Sequence, residues 1–133
     1  KRLISTVGLP KEEWLKIRRT GLTGTDIGAI TGMNPYSSAF QVYHDKLSEE
    51  IEDFDNEAMR QGRDLEEYVA RRFTEETGLK VRRANAVYQN EEYPFMLADF
   101  DRLIVGEEAG LECKTVSAYS ADRLSDGKIP LHY

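Results

Sequence analysis

From about Asn56 to Thr77 apolar residues recur at three- and four-residue intervals, with Leu65, Val69 and Phe73 on one stripe, and Gly78 follows as a C-terminal stop. This spacing predicts the longest helix of the chain. Nearer the start, a helix opens at Leu9-Pro10, with Pro at its first position, and runs through Arg19 until Gly21, with Trp14, Leu15 and Ile17 on its apolar side. Thr23-Gly24-Thr25-Asp26 reads as a turn and N-cap for a short helix, Ile27 to Ile30, closed by Gly32 and Asn34-Pro35. Ser37 and Ser38 are caps for the next helix, Ala39 to Leu47. Trp14, Phe40, Tyr43, Tyr68 and Phe73 fall at helical spacing and read as core residues rather than base-stacking platforms.

After Leu79 the period shortens to two. Lys80-Val81-Arg82-Arg83 through Val87-Tyr88 predicts a strand, Glu91 to Pro94 a turn, and Met96 to Val105 a second strand. Gly106 to Gly110 is a tight connection, and Leu111 to Val116 the third strand. Helices followed by a strand meander predict an α/β (α+β) chain built on a central sheet. No repeat or linker divides the 133 residues, and 40% hydrophobic content suits one domain, 1–133, with a core of its own.

Charge narrows the partners. A net charge of −6 disfavours indiscriminate polyanion binding, because the summed field repels phosphates, but it leaves room for a local basic patch. Arg71, Arg72, Lys80, Arg82 and Arg83 crowd together, which reads as a solvated face unless nearby chemistry calls for a phosphate track. The acidic stretch Glu49 to Glu57 is expected as a loop pointing away from any DNA. A single cysteine excludes an internal disulfide and a four-cysteine zinc or iron–sulfur site made by this chain alone. With no long apolar run, leader or lipidation signature, the expectation is a soluble intracellular protein without membrane attachment.

The stretch Gly110-Leu111-Glu112-Cys113-Lys114-Thr115 then stands out. In a strand Glu112 and Lys114 share one face, and Leu111, Cys113 and Thr115 the other. A hairpin through Gly106 to Gly110 brings Asp99 and Asp101 beside Glu112. Carboxylates converging in this way repel one another unless a cation or proton lies between them, and hard oxygen donors without His or Cys suit Mg²⁺ or Mn²⁺. Lys114 beside such an ion can orient or deprotonate a water for attack on a phosphodiester. An isolated Glu-x-Lys pair is more commonly a surface salt bridge. Joined to an aspartate one hairpin earlier, it forms the general PD-(D/E)xK nuclease pattern. A further carboxylate lies on the long helix, where Glu66 falls about 60° from the centre of the apolar stripe and Glu67 about 160° away, in solvent. Gly62, one turn before Glu66, permits close approach of another backbone.

Four segments together, "GLTGTDIGAITGMNPYSSAFQVYHDK" (21–46), "RQGRDLEEYVARRFTEETGLKVRR" (60–83), "YPFMLADFDRLI" (93–104) and "AGLECKT" (109–115), resemble the lambda-type exonucleases, specifically the YqaJ-like viral recombinase nucleases of phages and prophages. The resemblance covers most of the chain in the family's order and spacing. It implies a restriction-endonuclease-like central mixed sheet flanked by helices. The activity it implies is that of a metal-dependent exonuclease digesting duplex DNA from a 5′ end, which leaves 3′ single-stranded tails for a phage annealing protein.

Carried over by motif, Asp101, Glu112, Lys114 and Glu66 are the catalytic set. Asp101, Glu112, Glu66 and the backbone carbonyl of Cys113 hold two Mg²⁺ or Mn²⁺ ions, which such nucleases use about 3.5–4 Å apart. Arg18 or Arg19, with Thr25, matches the grip on the terminal 5′ phosphate, and Arg71, Arg72, Arg82 and Arg83 become candidate backbone contacts. A homo-oligomeric ring around DNA and the cytoplasm of a bacterial host follow from the same likeness. Two positions depart from the pattern: Arg102 stands where Gly usually follows the aspartate, and Asp99 where a neutral polar residue is common. The family continues past "KIPLHY" into a helix with a Gln-x-x-x-Tyr-like motif, Pro130 looking like its start, so the chain reads as truncated. The alternative reading is a catalytically silent nuclease-fold module that binds DNA or regulates. Cys113 is expected to be a buried, inert thiol with neither His44 nor His132 beside it.

Overall fold

The side chain of Asn56 accepts a hydrogen bond from the Met59 amide at 2.8 Å and so starts the longest helix, whose other end stops at Gly78 in the left-handed conformation. The computed structural model describes residues 1–48, 55–116, 127 and 129. In chain order the elements are β1 (Arg2–Ser5), α1 (Lys11–Arg19), α2 (Gly24–Ile30), α3 (Ala39–Leu47), α4 (Glu57–Thr77), β2 (Val81–Arg83), β3 (Ala86–Gln89), β4 (Leu97–Ala98), β5 (Arg102–Ile104) and β6 (Gly110–Leu111).

The α+β class stands. Within it, the described strands form two three-stranded antiparallel sheets, β1-β3-β4 and β2-β5-β6, rather than one continuous meander. Each of the two long expected strands is divided at the change of sheet. The first breaks at Ala84-Asn85, where Asn85 takes φ 48°, and the second at Asp99-Phe100-Asp101. The third strand ends at Leu111 rather than Val116, because the amide of Cys113 bonds the Asp101 carboxylate at 2.6 Å instead of a backbone carbonyl. β1 lies ahead of every element expected from the pattern and pairs with β3.

Helix starts shift by a few residues. Pro10 is the N-cap of α1, in an extended conformation. α2 starts at Gly24 because the Asp26 carboxylate accepts from both the amide and the hydroxyl of Thr23, at 2.7 and 2.9 Å, closing the cap three residues before Ile27. Ser38 caps α3 as the pattern predicts.

Among the described residues the buried apolar side chains are mostly small: Ala29, Val42, Ala70, Ala84, Ala86, Val87 and the larger Leu97. Several expected core aromatics lie outside. Phe40 is 75% exposed, and Tyr43 and Tyr68 face solvent, whereas Trp14 and Phe73 are half-buried. α3 packs against α1 and α2, and its row through Val42 and Lys46 takes that side, which turns Phe40 and Tyr43 outward. On α4 the buried face centres on Ala70, with Gly62, Glu66, Val69 and Phe73 half-buried, while Leu65 is exposed. The predicted stripe is thus rotated toward Glu66. The segment between α1 and α2 is tied to the first sheet through Gly21-Leu22: the Leu22 amide bonds the Phe95 carbonyl at 2.7 Å, and the Leu97 amide bonds the Leu22 carbonyl at 2.8 Å. Among the described residues no helix is long and apolar enough to cross a membrane.

Candidate active site

Where the chain leaves β4 for β5 it turns through Asp99, Phe100 and Asp101, and this corner faces the start of α2. Between them lies a cleft of about 410 Å³ lined by Trp14, Arg18, Thr23, Thr25, Asp99, Asp101, Glu112 and Lys114, among others. Residues from four separate segments meet there.

Asp101 and Glu112 meet through strand register. In the β5–β6 pair Arg102 faces Leu111 and Leu103 faces Gly110, so the next pair outward is Asp101 and Glu112. Phe100 folds over Gly110, whose missing side chain makes the room: a methyl there would lie 2.6 Å from the ring. Burial pushes the Cys113 thiol up from its ordinary value, and the negative charges of Asp101, Glu66 and Glu112 push it further. The thiol therefore stays protonated at neutral pH, although the residue is half-buried rather than buried as expected. Lys114 pairs with Glu112, so the alternation that put them on one side holds beyond the strand itself.

The other wall carries Arg18, Thr23 and Thr25. Arg18 donates to Thr25 Oγ1 at 3.0 Å and Thr23 Oγ1 at 3.2 Å, and its guanidinium lies 4.6 Å from the Trp14 ring centroid. Arg19 points elsewhere, donating to the Ser48 carbonyl at 2.7 Å. Asp99 stands opposite Arg18 at 3.7 Å and accepts from Trp14 Nε1 at 2.6 Å. The Trp14 contact joins residues too distant in sequence for any local pattern to reveal. Thr23, by contrast, carried a signal in its Thr-x-x-Asp capping spacing.

Glu66 sits outside the cleft lining. Its carboxylate is paired with Arg102, whose side chain is only 4% exposed. Arg102 also donates to the Asp101 carbonyl at 2.8 Å and to Glu67 at 3.0 Å, and Glu67, though exposed, bonds Arg83 as well. These two arginines hold the Glu67 carboxyl below its usual range, Arg83 contributing most. Arg71 and Arg72 pair along α4 with Glu75 and Glu76, and Arg82 lines a different hollow beside β5. None of these four arginines, Arg83 included, lines the cleft.

The donor chemistry suits one hard cation. Asp101, Glu112 and the Cys113 carbonyl offer oxygen ligands of the kind Mg²⁺ takes. A second ion at Glu66 fits less well, because the buried Arg102 guanidinium already holds one oxygen, Oε1, of that carboxylate. Among the described residues no three acidic, histidine or cysteine side chains converge closely enough to form a metal shell by themselves. The expected helix at Pro130, the side chain of His132 and most of the acidic stretch lie outside the described residues.

Residues 13–133 match the model of the YqaJ-like viral recombinase domain. The chain belongs to this family. A YqaJ-family relative, the uncharacterized protein YqaJ of Bacillus subtilis (strain 168), is 41% identical over 126 residues, covering 94% of this chain and 40% of the relative. The chain therefore spans about two-fifths of that protein's length. Among solved structures, LHK-Exo in complex with dAMP is similar with a TM-score of 0.72 at 22% identity, over 92% of this chain and 63% of that one. The alkaline exonuclease LHK-Exo from Laribacter hongkongensis gives a TM-score of 0.71 at the same identity and coverage. At this identity the likeness establishes a shared fold.

Proposed function

We propose that this YqaJ-family chain is the nuclease part of a DNA exonuclease that works with Mg²⁺ or Mn²⁺ and digests linear duplex DNA from a 5′ end. The observation that carries the reading is the single cleft in which Asp101, Glu112 and Lys114 face Arg18, Thr23 and Thr25. Its charged side chains are Arg18 and Lys114 against Asp99, Asp101 and Glu112, an excess of acid that would repel a phosphodiester without an added cation. Asp101 and Glu112, with the Cys113 carbonyl, would hold that cation. When bound, such an ion lowers the pKa of a coordinated water and offsets charge building on the phosphate oxygens. Lys114, tethered by Glu112, donates a hydrogen bond that orients the water. Arg18 and the two threonine hydroxyls hold the terminal nucleotide's phosphate end, and thereby fix which bond lies over the carboxylates. The likeness to an alkaline exonuclease supports a DNA substrate.

The product would be a 3′ single-stranded tail for a phage annealing protein in the bacterial cytoplasm, with the enzyme closed as a ring around the duplex. This part rests on the family resemblance. The pairing of Glu66 with Arg102 favours a second reading, a nuclease-fold module that binds DNA ends without cutting them. One experiment separates the two. Purified protein is incubated with linear duplex bearing a 5′ phosphate, with Mg²⁺ or chelator, beside Lys114→Ala. Nucleotide release that needs Mg²⁺ and vanishes in the variant supports the exonuclease; end binding without release supports the module.

A further inference from the structure

Arg102 is the buried charge that the cleft itself does not explain. With both neighbouring acids taken into account, Glu66 and Glu67 carry two negative charges, and Arg102 and Arg83 return two positive ones. The quartet is neutral without any metal. A guanidinium taken this far out of water is stable only where its donors are satisfied and its charge compensated, and here Nη1 serves Glu66 and the Asp101 carbonyl while Nη2 serves Glu67. Displacing Glu66 from it to admit a divalent ion would leave this buried guanidinium with only the largely exposed Glu67 as counter-charge. Keeping the guanidinium in place would set two cations against each other beside the same carboxylate.

We propose that Arg102 stands in for the second metal ion, so that this chain binds a single divalent cation, at Asp101 and Glu112, and Glu66 serves as the counter-charge that holds Arg102 rather than as a metal ligand. This inference rests on the nuclease reading above and deepens it. Arg102 is a positioning residue. Its bond to the Asp101 carbonyl pins the backbone at the corner between the two sheets, while Cys113 pins the Asp101 side chain from the other direction, at 2.6 Å. Backbone and carboxylate of Asp101 are thereby each held by a bond, and a fixed positive charge sits one residue away from the cation's ligand. Selection of a guanidinium over a metal has a further consequence: the charge at this point does not depend on metal concentration.

The test counts ions. Mn²⁺ is titrated into the purified wild-type protein by calorimetry, with free Mn²⁺ followed in parallel by electron paramagnetic resonance, and the titration is repeated on Glu66→Gln and Glu112→Gln. Gln is isosteric and still accepts a hydrogen bond from Arg102. The expected result is one Mn²⁺ per wild-type chain, one retained in Glu66→Gln, and none in Glu112→Gln. A second ion in the wild type that disappears in Glu66→Gln overturns the proposal, whatever the activity. Cleavage is measured on the same samples. One ion with cleavage supports both readings; one ion without cleavage supports the role of Arg102 and sinks the exonuclease. Two ions with cleavage does the reverse, and no ion at all overturns both.

Discussion

Trp14 Nε1 donates to the Asp99 carboxylate at 2.6 Å and so fixes an acid beside Arg18 in the cleft. Asp99 shares that cleft with Arg18, Thr23 and Thr25, and its charge offsets much of what Arg18 offers a terminal phosphate. Like charges brought together at a binding site cost several kcal/mol when water is excluded. Asp99→Ser should therefore raise the preference for 5′-phosphate over 5′-hydroxyl ends by about tenfold, the equivalent of about 1.4 kcal/mol. Paired substrates that differ only in the terminal group measure it. An unchanged ratio would mean that the phosphate does not approach Asp99.

The two adjacent arginines should behave differently. Arg18 reaches both threonine hydroxyls and the cleft, whereas Arg19 bonds the Ser48 carbonyl at the end of α3. Arg18→Ala should weaken capture of DNA ends by about 10- to 100-fold, as expected for loss of a charge-assisted contact of about 1.5–3 kcal/mol. Arg19→Ala should leave end binding within about twofold and instead lower the melting temperature. Fluorescence anisotropy with end-labelled duplex, next to thermal melts, reads both effects.

How far the sequence discloses this arrangement depends on the range of the interactions concerned. Ser38, Asn56 and Gly78 mark helix ends through bonds to residues a few positions away, and their local signals suffice. The facing of Asp101 and Glu112 is also legible, because a short hairpin fixes its own register. Alternation fails between Met96 and Val105, since it describes a strand within one sheet and this segment passes from one sheet to another. Burial of Arg102 depends on acids 35 and 36 residues earlier, and the Trp14–Asp99 bond on partners 85 apart. Such pairs follow from how α4 and α1 pack on the sheets, which periodicity does not encode. The exposed Phe40 and Tyr43 show the same limit: a short helix buries one row, and the pattern alone does not say which.

Stability should carry a pH signature from Asp26. Its carboxylate is mostly buried, and that burial alone would raise its pKa, yet the Lys46 ammonium at 2.8 Å and the Thr23 donors outweigh it and bring the pKa below the ordinary 3.8. A depressed carboxylate pKa means that the unfolded chain takes up its proton first as acid is added. The contribution is therefore full above the ordinary aspartate value and is lost as pH falls through the lower, folded one. Asp26→Asn should cost about 1–3 kcal/mol at pH 7, from loss of a cap and of a partly buried ion pair. The difference between variant and wild type should close progressively in melts run at pH values falling below the ordinary aspartate value. A difference that persisted undiminished there would exclude ionised Asp26 as its source.

Gly21 joins the helices to the corner that carries the acids, and a single methyl group should show how tightly. A Cβ at this position would lie 2.5 Å from the Phe95 carbonyl oxygen and 2.9 Å from Leu97 Cγ. The first of these is backbone, so no rotamer change relieves the clash. The neighbouring amide of Leu22 bonds that same carbonyl, and Leu22 in turn receives the Leu97 amide, so relief must separate the Gly21–Thr23 segment from β4. Overpacking of this kind typically costs about 1–3 kcal/mol. β4 runs directly into Asp99, and Thr23 starts the opposite wall of the cleft, so the same displacement widens the distance between that wall and the carboxylates. Gly21→Ala should thus lower both melting temperature and the rate of end-dependent cleavage. Gly24→Ala, whose Cβ meets nothing within 4 Å, provides the comparison: it lies in the same segment and should leave stability nearly unchanged. If Gly21→Ala lost stability while retaining full cleavage, the cleft would not depend on this contact for its spacing.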